Sequence, residues 1–180
     1  IPNDRVMRWS QADGCSVYLQ PAGYHNGHYL DRQGRLVSCE HGERRISRTE
    51  PDGAVVTLAD RYEGKRLNSP NDLVVKSDGT IWFTDPPYGI LTDREGHQAE
   101  SELGANYVFR LDPESGDLRI VSDELDRPNG ICFSPDESLL YVADTGEPCD
   151  VRVFDVVDGE RLANNRLFAV VRPGAADGFR

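Results

Sequence analysis

The feature that most constrains the fold of this 180-residue chain is an internal repeat. Similar segments begin at four polar anchors, Asn26, Asn71, Asn129 and Asp177, and Gly or Asp follows each anchor. Successive anchors are 45, 58 and 48 residues apart (71 − 26, 129 − 71 and 177 − 129). A repeat of roughly 40–50 residues is the size of one propeller blade, so the spacing predicts a radially repeated architecture.

Each repeat contains four short runs that have the composition of β-strands. The first follows the anchor, and the others read, in the three complete repeats, GRLVSCEH, GTIWFTDP and SLLYVADT, then RRISRTE, YVFRLD and VRVFDV, then VVTLAD, LRIVSD and RLFAVV. Turn pairs such as Asp52-Gly53 and Asp78-Gly79 separate the runs, and helix signals are almost absent. A β-sandwich would explain the strands but not the repeated anchor, and a long meander would leave large unpaired edges. We therefore expect an all-β fold, a β-propeller of four-stranded antiparallel blades, with residues 1–180 forming one partial domain.

Composition narrows the possible partners. The net charge is −11, with 31 acidic and 20 basic residues, which argues against binding to nucleic acid. The longest apolar run, Leu139 to Ala143, is far shorter than the roughly 20 residues that cross a bilayer, so no membrane partner is expected. The four cysteines form no CxxC pair, which argues against a structural zinc site. The expectation is a soluble protein, with a cytoplasmic or periplasmic location and the oligomeric state left open.

The anchors are the candidate functional residues. The first strand of each propeller blade lines the central channel, so residues at equivalent positions converge near the axis. Amide and carboxylate oxygens suit calcium or magnesium, and such sites also accept manganese. No His or Cys occupies an anchor position, which disfavours a site built for zinc. The competing interpretation is that each Asn-Gly pair only satisfies a turn and adopts a left-handed conformation.

Several motifs resemble the gluconolactonase/SMP-30 (regucalcin)/luciferin-regenerating-enzyme family. They are IPNDRVMRW, NGHYLDRQGRLVSCEHGERRISR, RLNSPNDLVVKSDGTIWFTDPPYG, RPNGICFSPDESLLYVADT and ADGFR, in family order along nearly the whole chain. The resemblance implies a six-bladed propeller, of which this chain covers roughly three to four blades. It also implies hydrolysis of a small sugar lactone with one divalent metal ion, usually Ca²⁺, with Mg²⁺, Mn²⁺ or Zn²⁺ as other possibilities. Organophosphate-cleaving relatives share the architecture.

The resemblance also implies roles for individual anchors. Asn129 in RPNG and Asp177 in ADG would be direct metal ligands, and Asn71 in SPND would lie at the metal and contact substrate or water. The family's remaining ligand is a Glu in a Glu-Gly-Pro motif expected before Ile1, and later blades would follow Arg180. The sequence therefore reads as part of a longer protein.

The resulting hypothesis for catalysis centres on Asp177, the only carboxylate among the anchors. Asp177 would serve as ligand and general base, and Asn71 would orient substrate or water. Tyr88, Glu40 and His41 lie at or just after the ends of predicted second strands and are candidates for substrate binding.

Asp72 and the insertion 91–104 are two further features near the anchors. We expect Asp72 to point away from the channel and to form hydrogen bonds within its blade. The polar insertion 91–104 is either a cap on the active site or a surface loop. A phosphotriesterase-like hydrolase and a non-catalytic propeller scaffold are the alternative functions.

Overall fold

The computed structural model describes residue 1 and residues 3–179; Pro2 and Arg180 lie outside the described residues. Nearly all regular structure in this part is β-strand, with one four-residue helix, α1 (Tyr88–Leu91). The strands are β1 (Val6–Ser10), β2 (Gly14–Leu19), β3 (His25–Leu30), β4 (Leu36–Glu40), β5 (Arg45–Thr49), β6 (Val55–Ala59), β7 (Arg61–Tyr62), β8 (Lys65–Arg66), β9 (Leu73–Val75), β10 (Ile81–Asp85), β11 (Tyr107–Leu111), β12 (Leu118–Ser122), β13 (Pro128–Phe133), β14 (Leu139–Asp144), β15 (Asp150–Val157) and β16 (Arg161–Val170). No helix within the described residues is long and apolar enough to span a membrane.

The strands form three four-stranded sheets in simple chain order, β3 to β6, β9 to β12 and β13 to β16. Every pairing is antiparallel; in the second sheet Phe83 of β10 lies between Leu73 of β9 and Phe109 of β11. The β1–β2 and β7–β8 hairpins are separate two-stranded sheets. The expectation of an all-β chain built from four-stranded antiparallel sheets is confirmed. One detail differs, because β3 and β13 already contain their anchors, Asn26 and Asn129, whereas β9 begins two residues after Asn71.

The apolar core fills the spaces between successive sheets. One cluster, which includes Ile46, Phe83 and Phe109, lies between the first and second sheets. The other, which includes Trp82 and Phe154, lies between the second and third. Adjacent residues Trp82 and Phe83 enter different clusters because successive side chains of a strand point to opposite faces. Sheets packed face to face in this way bring β9 next to both β3 and β13. Asn26 and Asn129 lie on β3 and β13, and Asn71 lies just before β9.

Candidate active site

All four anchors line one polar cavity of about 200 Å³. Its walls are formed by Ile1, Asn26, Asn71, Tyr88, Glu95, Asn129 and Asp177. Three of the residues predicted as metal ligands, and Tyr88 among the predicted substrate contacts, therefore lie around the same space. Their chemical roles stay predictions.

Backbone hydrogen bonds between sheets fix the anchors in place. The Gly27 N–H donates to the carbonyl of Asn71 at 2.8 Å, which joins the first sheet to the second. The hydroxyl of Thr84 donates to the carbonyl of Asn129 at 2.7 Å, which joins the second sheet to the third. The N–H of Asn71 itself donates to the carbonyl of Thr84 at 2.9 Å. The anchor side chains are thus carried on backbone that neighbouring sheets hold from both sides.

The glycines after the anchors are explained by this close approach. A Cβ atom on Gly27 would lie 2.6 Å from Oδ1 of Asp72 and 2.7 Å from the carbonyl oxygen of Asn71, and one on Gly130 would lie 2.4 Å from the carbonyl oxygen of Asp177. Neither glycine has a positive φ, and nor do the anchors that precede them. The interpretation of the Asn-Gly pairs as left-handed turns is therefore wrong: here glycine allows two inner strands to touch.

Asp72 is a further residue with contacts between sheets. It is buried, its Oδ1 accepts from the Leu73 N–H at 2.9 Å, and its Oδ2 accepts from the Ile131 N–H of the third sheet at 3.4 Å. It also lines a second cavity with Gly27, Asp177 and others. The side chain therefore forms the expected hydrogen bond next to its own strand and in addition links two sheets, because β9 begins only at Leu73 and strand alternation does not yet govern residue 72.

Asn129 provides the test of whether the site fits a cation. The residue is only 8% exposed, and its Oδ1 atom accepts no hydrogen bond within the described part of the chain. A buried carbonyl oxygen without a partner is destabilising by about 1–3 kcal/mol, and a bound cation would satisfy it. The carboxylate of Asp177 lies on the same cavity, with Oδ1 accepting from the Gly178 N–H at 2.9 Å. This donor set fits a hard divalent ion.

The site lacks the side chains that usually mark metal centres. No cluster of three or more His, Cys, Asp or Glu able to hold a metal occurs among residues 1 and 3–179. The cavity instead combines three amides with two carboxylates, those of Asp177 and Glu95. Amide and carboxylate oxygens favour calcium or magnesium over zinc.

The structure does not place Glu40 on the cavity. Glu40 is buried, its Oε2 accepts from Arg45 Nε at 2.9 Å, and its Oε1 lies 3.3 Å from His25 Nε2. Burial alone would raise its pKa, but hydrogen bonds from His25 and Arg45 outweigh burial and lower the pKa. A substrate contact by Glu40 stays a prediction, and its strand-end position gave no information on side-chain direction.

Acidic residues at the same repeat position of the other two sheets bind backbone N–H groups instead. Asp85 accepts from the Asn68 N–H at 2.8 Å, and Asp144 accepts from the N–H groups of Asp126 and Arg127 at 2.8 and 2.9 Å. In both sheets the carboxylate holds the segment that leads into the inner strand of its own sheet, β9 or β13. The signal was present in the sequence, since all three second strands end in Glu or Asp.

His41 also lies outside the cavity, one layer behind Asn26. Its ring is fully buried, with Nε2 3.2 Å from Nδ2 of Asn26 and Nδ1 3.1 Å from the carbonyl oxygen of Glu95. Burial lowers the pKa of His41 to about 4. His41 thus contacts a residue of the cavity wall, and its predicted direct contact with substrate stays a prediction.

The insertion after α1 contributes Glu95 to the cavity wall, while most of its other residues are exposed. We call residues 92–106 the lid loop. The Ala99 N–H donates to the carbonyl of Ile90 at 3.1 Å, and the hydroxyl of Ser101 donates to Oδ1 of Asn68 at 2.6 Å. Tyr88 lines the cavity from α1 and forms a hydrogen bond to the hydroxyl of Thr145 in the third sheet.

Glu95, the lid-loop residue that lines the cavity, was missed by sequence reasoning. The insertion interrupts only one repeat, so Glu95 has no counterpart in the other repeats that could have identified it.

The motifs SPND and DPPYG belong to one local structure. The hydroxyl of Ser69 donates to the carbonyl of Pro86 at 2.6 Å and accepts from the Gly89 N–H at 2.9 Å. A Cβ atom on Gly89 would lie 2.5 Å from Cβ of His41, so only glycine allows α1 to reach this position. The two motifs thus hold Asn71 and Tyr88 on facing walls of one cavity.

The fold and the site together define the class: the chain is built like a propeller, and an oxygen-rich cavity lies where its inner strands begin. The family model for the SMP-30/gluconolactonase/LRE-like region matches residues 1–180. The chain belongs to this family, which confirms the resemblance seen in the motifs.

Individual relatives support the assignment. A gluconolactonase of Zymomonas mobilis subsp. mobilis is 36% identical over 158 residues, which cover 80% of this chain and 44% of that protein. The structure of a gluconolactonase from Xanthomonas campestris has a TM-score of 0.93 and 46% identity, and the match covers 98% of this chain and 59% of that one. Regucalcin from Agrobacterium tumefaciens shares the fold alone, with a TM-score of 0.71, 16% identity, and coverage of 98% and 56%. The chain thus spans about half the length of these relatives.

Proposed function

We propose that the protein is a divalent-metal-dependent hydrolase that opens a sugar lactone, and that the whole protein is a six-bladed propeller. Family membership and the gluconolactonase relatives support lactone hydrolysis over the phosphotriesterase and scaffold alternatives. The observation that carries the metal dependence is the partnerless buried Oδ1 of Asn129 on the same cavity as Asp177.

In this proposal Asn129 and Asp177 hold the ion and Asn71 lies beside it. Calcium is the preferred ion because the donors are amide and carboxylate oxygens; the regucalcin that shares the fold is a calcium-binding protein. A bound divalent ion would polarise the lactone carbonyl and stabilise the negative charge that develops on its oxygen.

The chain's own groups account for the remaining steps. Oδ1 of Asp177 already accepts the Gly178 N–H, so Oδ2 is the atom that would accept a proton from the attacking water. The Asn71 amide would orient that water or the substrate, and Tyr88 and Glu95 would contact the sugar hydroxyls from the lid side. The lid loop, through Glu95, would limit access of bulk water to the bound substrate.

The test is hydrolysis of glucono-δ-lactone by the natural full-length protein before and after treatment with a chelator. We expect activity to disappear with chelation and to return with Ca²⁺. Asp177→Asn should lower kcat/KM by about 10²–10³-fold, the effect of removing one key electrostatic group. Asn129→Ala should weaken calcium binding by at least about tenfold in calorimetry.

Asp123→Asn is the matched control, since Asp123 is an exposed carboxylate outside the cavity. Full activity in the presence of chelator, or an Asp177→Asn variant as active as Asp123→Asn, would refute the proposal.

A further inference from the structure

His41 connects the lid loop to the wall of the cavity. It is fully buried, and each ring nitrogen has a partner on a different side. Nδ1 faces the carbonyl oxygen of Glu95 in the lid loop at 3.1 Å. Nε2 faces the amide nitrogen of Asn26, a cavity residue on β3, at 3.2 Å.

These two contacts determine where the protons are. A carbonyl oxygen can only accept, so Nδ1 of His41 must carry the proton in the bond to Glu95. Burial holds the pKa of His41 at about 4, so the ring is neutral near pH 7 and Nε2 has a free lone pair. That lone pair can only accept, so the partner on Asn26 must be the NH₂ group of its amide. The Oδ1 atom of Asn26 is then left for the cavity that Asn26 lines.

Close packing makes this arrangement depend on the lid being in place. A Cβ atom on Gly89 would lie 2.6 Å from Cγ of His41, and one on Gly96 would lie 2.1 Å from the carbonyl oxygen of Gly89. The chain around α1 therefore packs directly on the imidazole, and Gly96 of the lid loop packs on Gly89. The main chain of His41 is held independently, since its N–H donates to the carbonyl of Tyr24 at 3.2 Å. The ring is thus a fixed bridge, with one end on the lid loop and the other on Asn26.

We propose that His41 is a positioning residue: through its Nδ1–H tautomer it couples docking of the lid loop to the orientation of the Asn26 amide, and so presents Oδ1 of Asn26 to the metal- and substrate-binding cavity. Its effect on turnover rests on the proposed lactone hydrolysis. The tautomer and the contact with the lid do not.

The first test is independent of activity. Two-bond ¹H–¹⁵N correlation spectra of the uniformly ¹⁵N-labelled, metal-free full-length protein at pH 7 report which ring nitrogen is protonated. Spectra of a His41→Gln variant assign the signal. We expect protonated Nδ1 and bare Nε2, which is the less common tautomer of a free neutral imidazole. Protonated Nε2, or fast exchange between both forms, would overturn the proposal.

The second test separates the two hydrogen bonds with a matched pair of variants. In His41→Asn the side-chain NH₂ lies near the place of Nδ1, so the bond to Glu95 is retained and the acceptor for Asn26 is lost. In His41→Gln the terminal amide lies near the place of Nε2, so its oxygen can accept from Asn26 while the bond to the lid loop is lost. Loss of a group that orients a metal-site residue typically lowers affinity or activity by about 10–100-fold.

We therefore expect His41→Asn to lower kcat by at least about tenfold. His41→Gln should mainly raise KM for the lactone and leave kcat within about threefold. Equal losses in both variants would indicate a merely structural role, and wild-type kinetics in both would indicate none; either result overturns the proposal. If the protein opens no lactone, the proposed function fails, and the tautomer measurement still decides whether His41 bridges the lid loop and Asn26.

Discussion

Replacement of Gly27 by Ala should be strongly destabilising although it adds only one methyl group. The new Cβ would lie 2.6 Å from Oδ1 of Asp72 and 2.7 Å from the carbonyl oxygen of Asn71, where ordinary contacts begin at 3.4 Å. Relief requires β3 to move from the neighbouring chain by about 0.7 Å, the difference between 3.4 and 2.7 Å. Neither contact atom lies at the end of a long flexible side chain that could move aside.

The expected cost follows from these contacts. Overpacking of this kind costs about 1–3 kcal/mol, and loss of the bond from the Gly27 N–H to the carbonyl of Asn71 adds about 1–3 kcal/mol. The lower entropy of the unfolded Ala variant offsets about 0.5–1 kcal/mol. We expect the free energy of unfolding to fall by about 1–5.5 kcal/mol, which corresponds to a loss of roughly 2–22 °C in Tm.

Urea denaturation of the full-length protein, followed by tryptophan fluorescence, measures this change. Asp123→Ala is the control, because Asp123 is exposed and its side chain lies outside the contacts between sheets. The control should stay within about 1 kcal/mol of wild type. If Gly27→Ala proves as stable as Asp123→Ala, the explanation of the Asn-Gly pairs by close strand approach is wrong.

Three further substitutions test the contact between Tyr88 and Thr145 and the role of the buried carboxylate of Asp85. Tyr88→Phe removes the hydrogen bond to Thr145, so KM for an aldonolactone should rise several-fold while kcat changes less than about twofold. Thr145→Val removes the same hydrogen bond and should give the same change in steady-state kinetics. A change in kcat in only one of the two variants would contradict this explanation. Asp85 is fully buried, and burial raises its pKa to about 7. Hydrogen bonds from the N–H groups of Asn68 and Ser69 lower the pKa, but burial has the larger effect. Because the folded state then binds this proton more tightly than the unfolded chain, the free energy of unfolding should fall by up to about 4 kcal/mol as pH rises from about 4 to about 7. Asp85→Asn, which keeps an acceptor for Asn68, should remove most of this slope in urea titrations at pH 4.5 and 8, and an unchanged slope would exclude Asp85 as its source.

The strands of each sheet were predictable because the same pattern of apolar and turn residues recurs in every repeat. One run such as IWFTD could belong to many folds, but its alignment with LVSCE and LLYVAD defines the second strand of each sheet. The meeting of the anchors followed from the same logic, since equivalent positions in radially packed sheets approach a common axis. The reason for the glycines was not predictable, because close approach depends on how two sheets pack and not on local turn preferences.

The errors lie where no repeat was available or where side-chain direction decided the outcome. Glu95 lies in an insertion that occurs once, so only the folded lid loop brings it to the cavity. Glu40 and His41 are consecutive, and neither lines the cavity: buried Glu40 pairs with Arg45, and His41 lies behind Asn26. Position at the end of a strand identified the correct end of the molecule but could not distinguish a wall residue from the layer behind it.

Two sides of the cavity are held by different numbers of contacts. Asn129 lies on β13 and Asn71 lies just before β9, and the backbone of both is bonded between sheets, so their positions are fixed by the same contacts that hold the sheets together. Tyr88 and Glu95 are held by α1 and the lid loop, through a few polar contacts such as those with Thr145 and His41. Local opening requires less free energy where few apolar contacts are lost. Substitutions in the lid loop should therefore alter which substrate is accepted well before they alter the affinity for the ion.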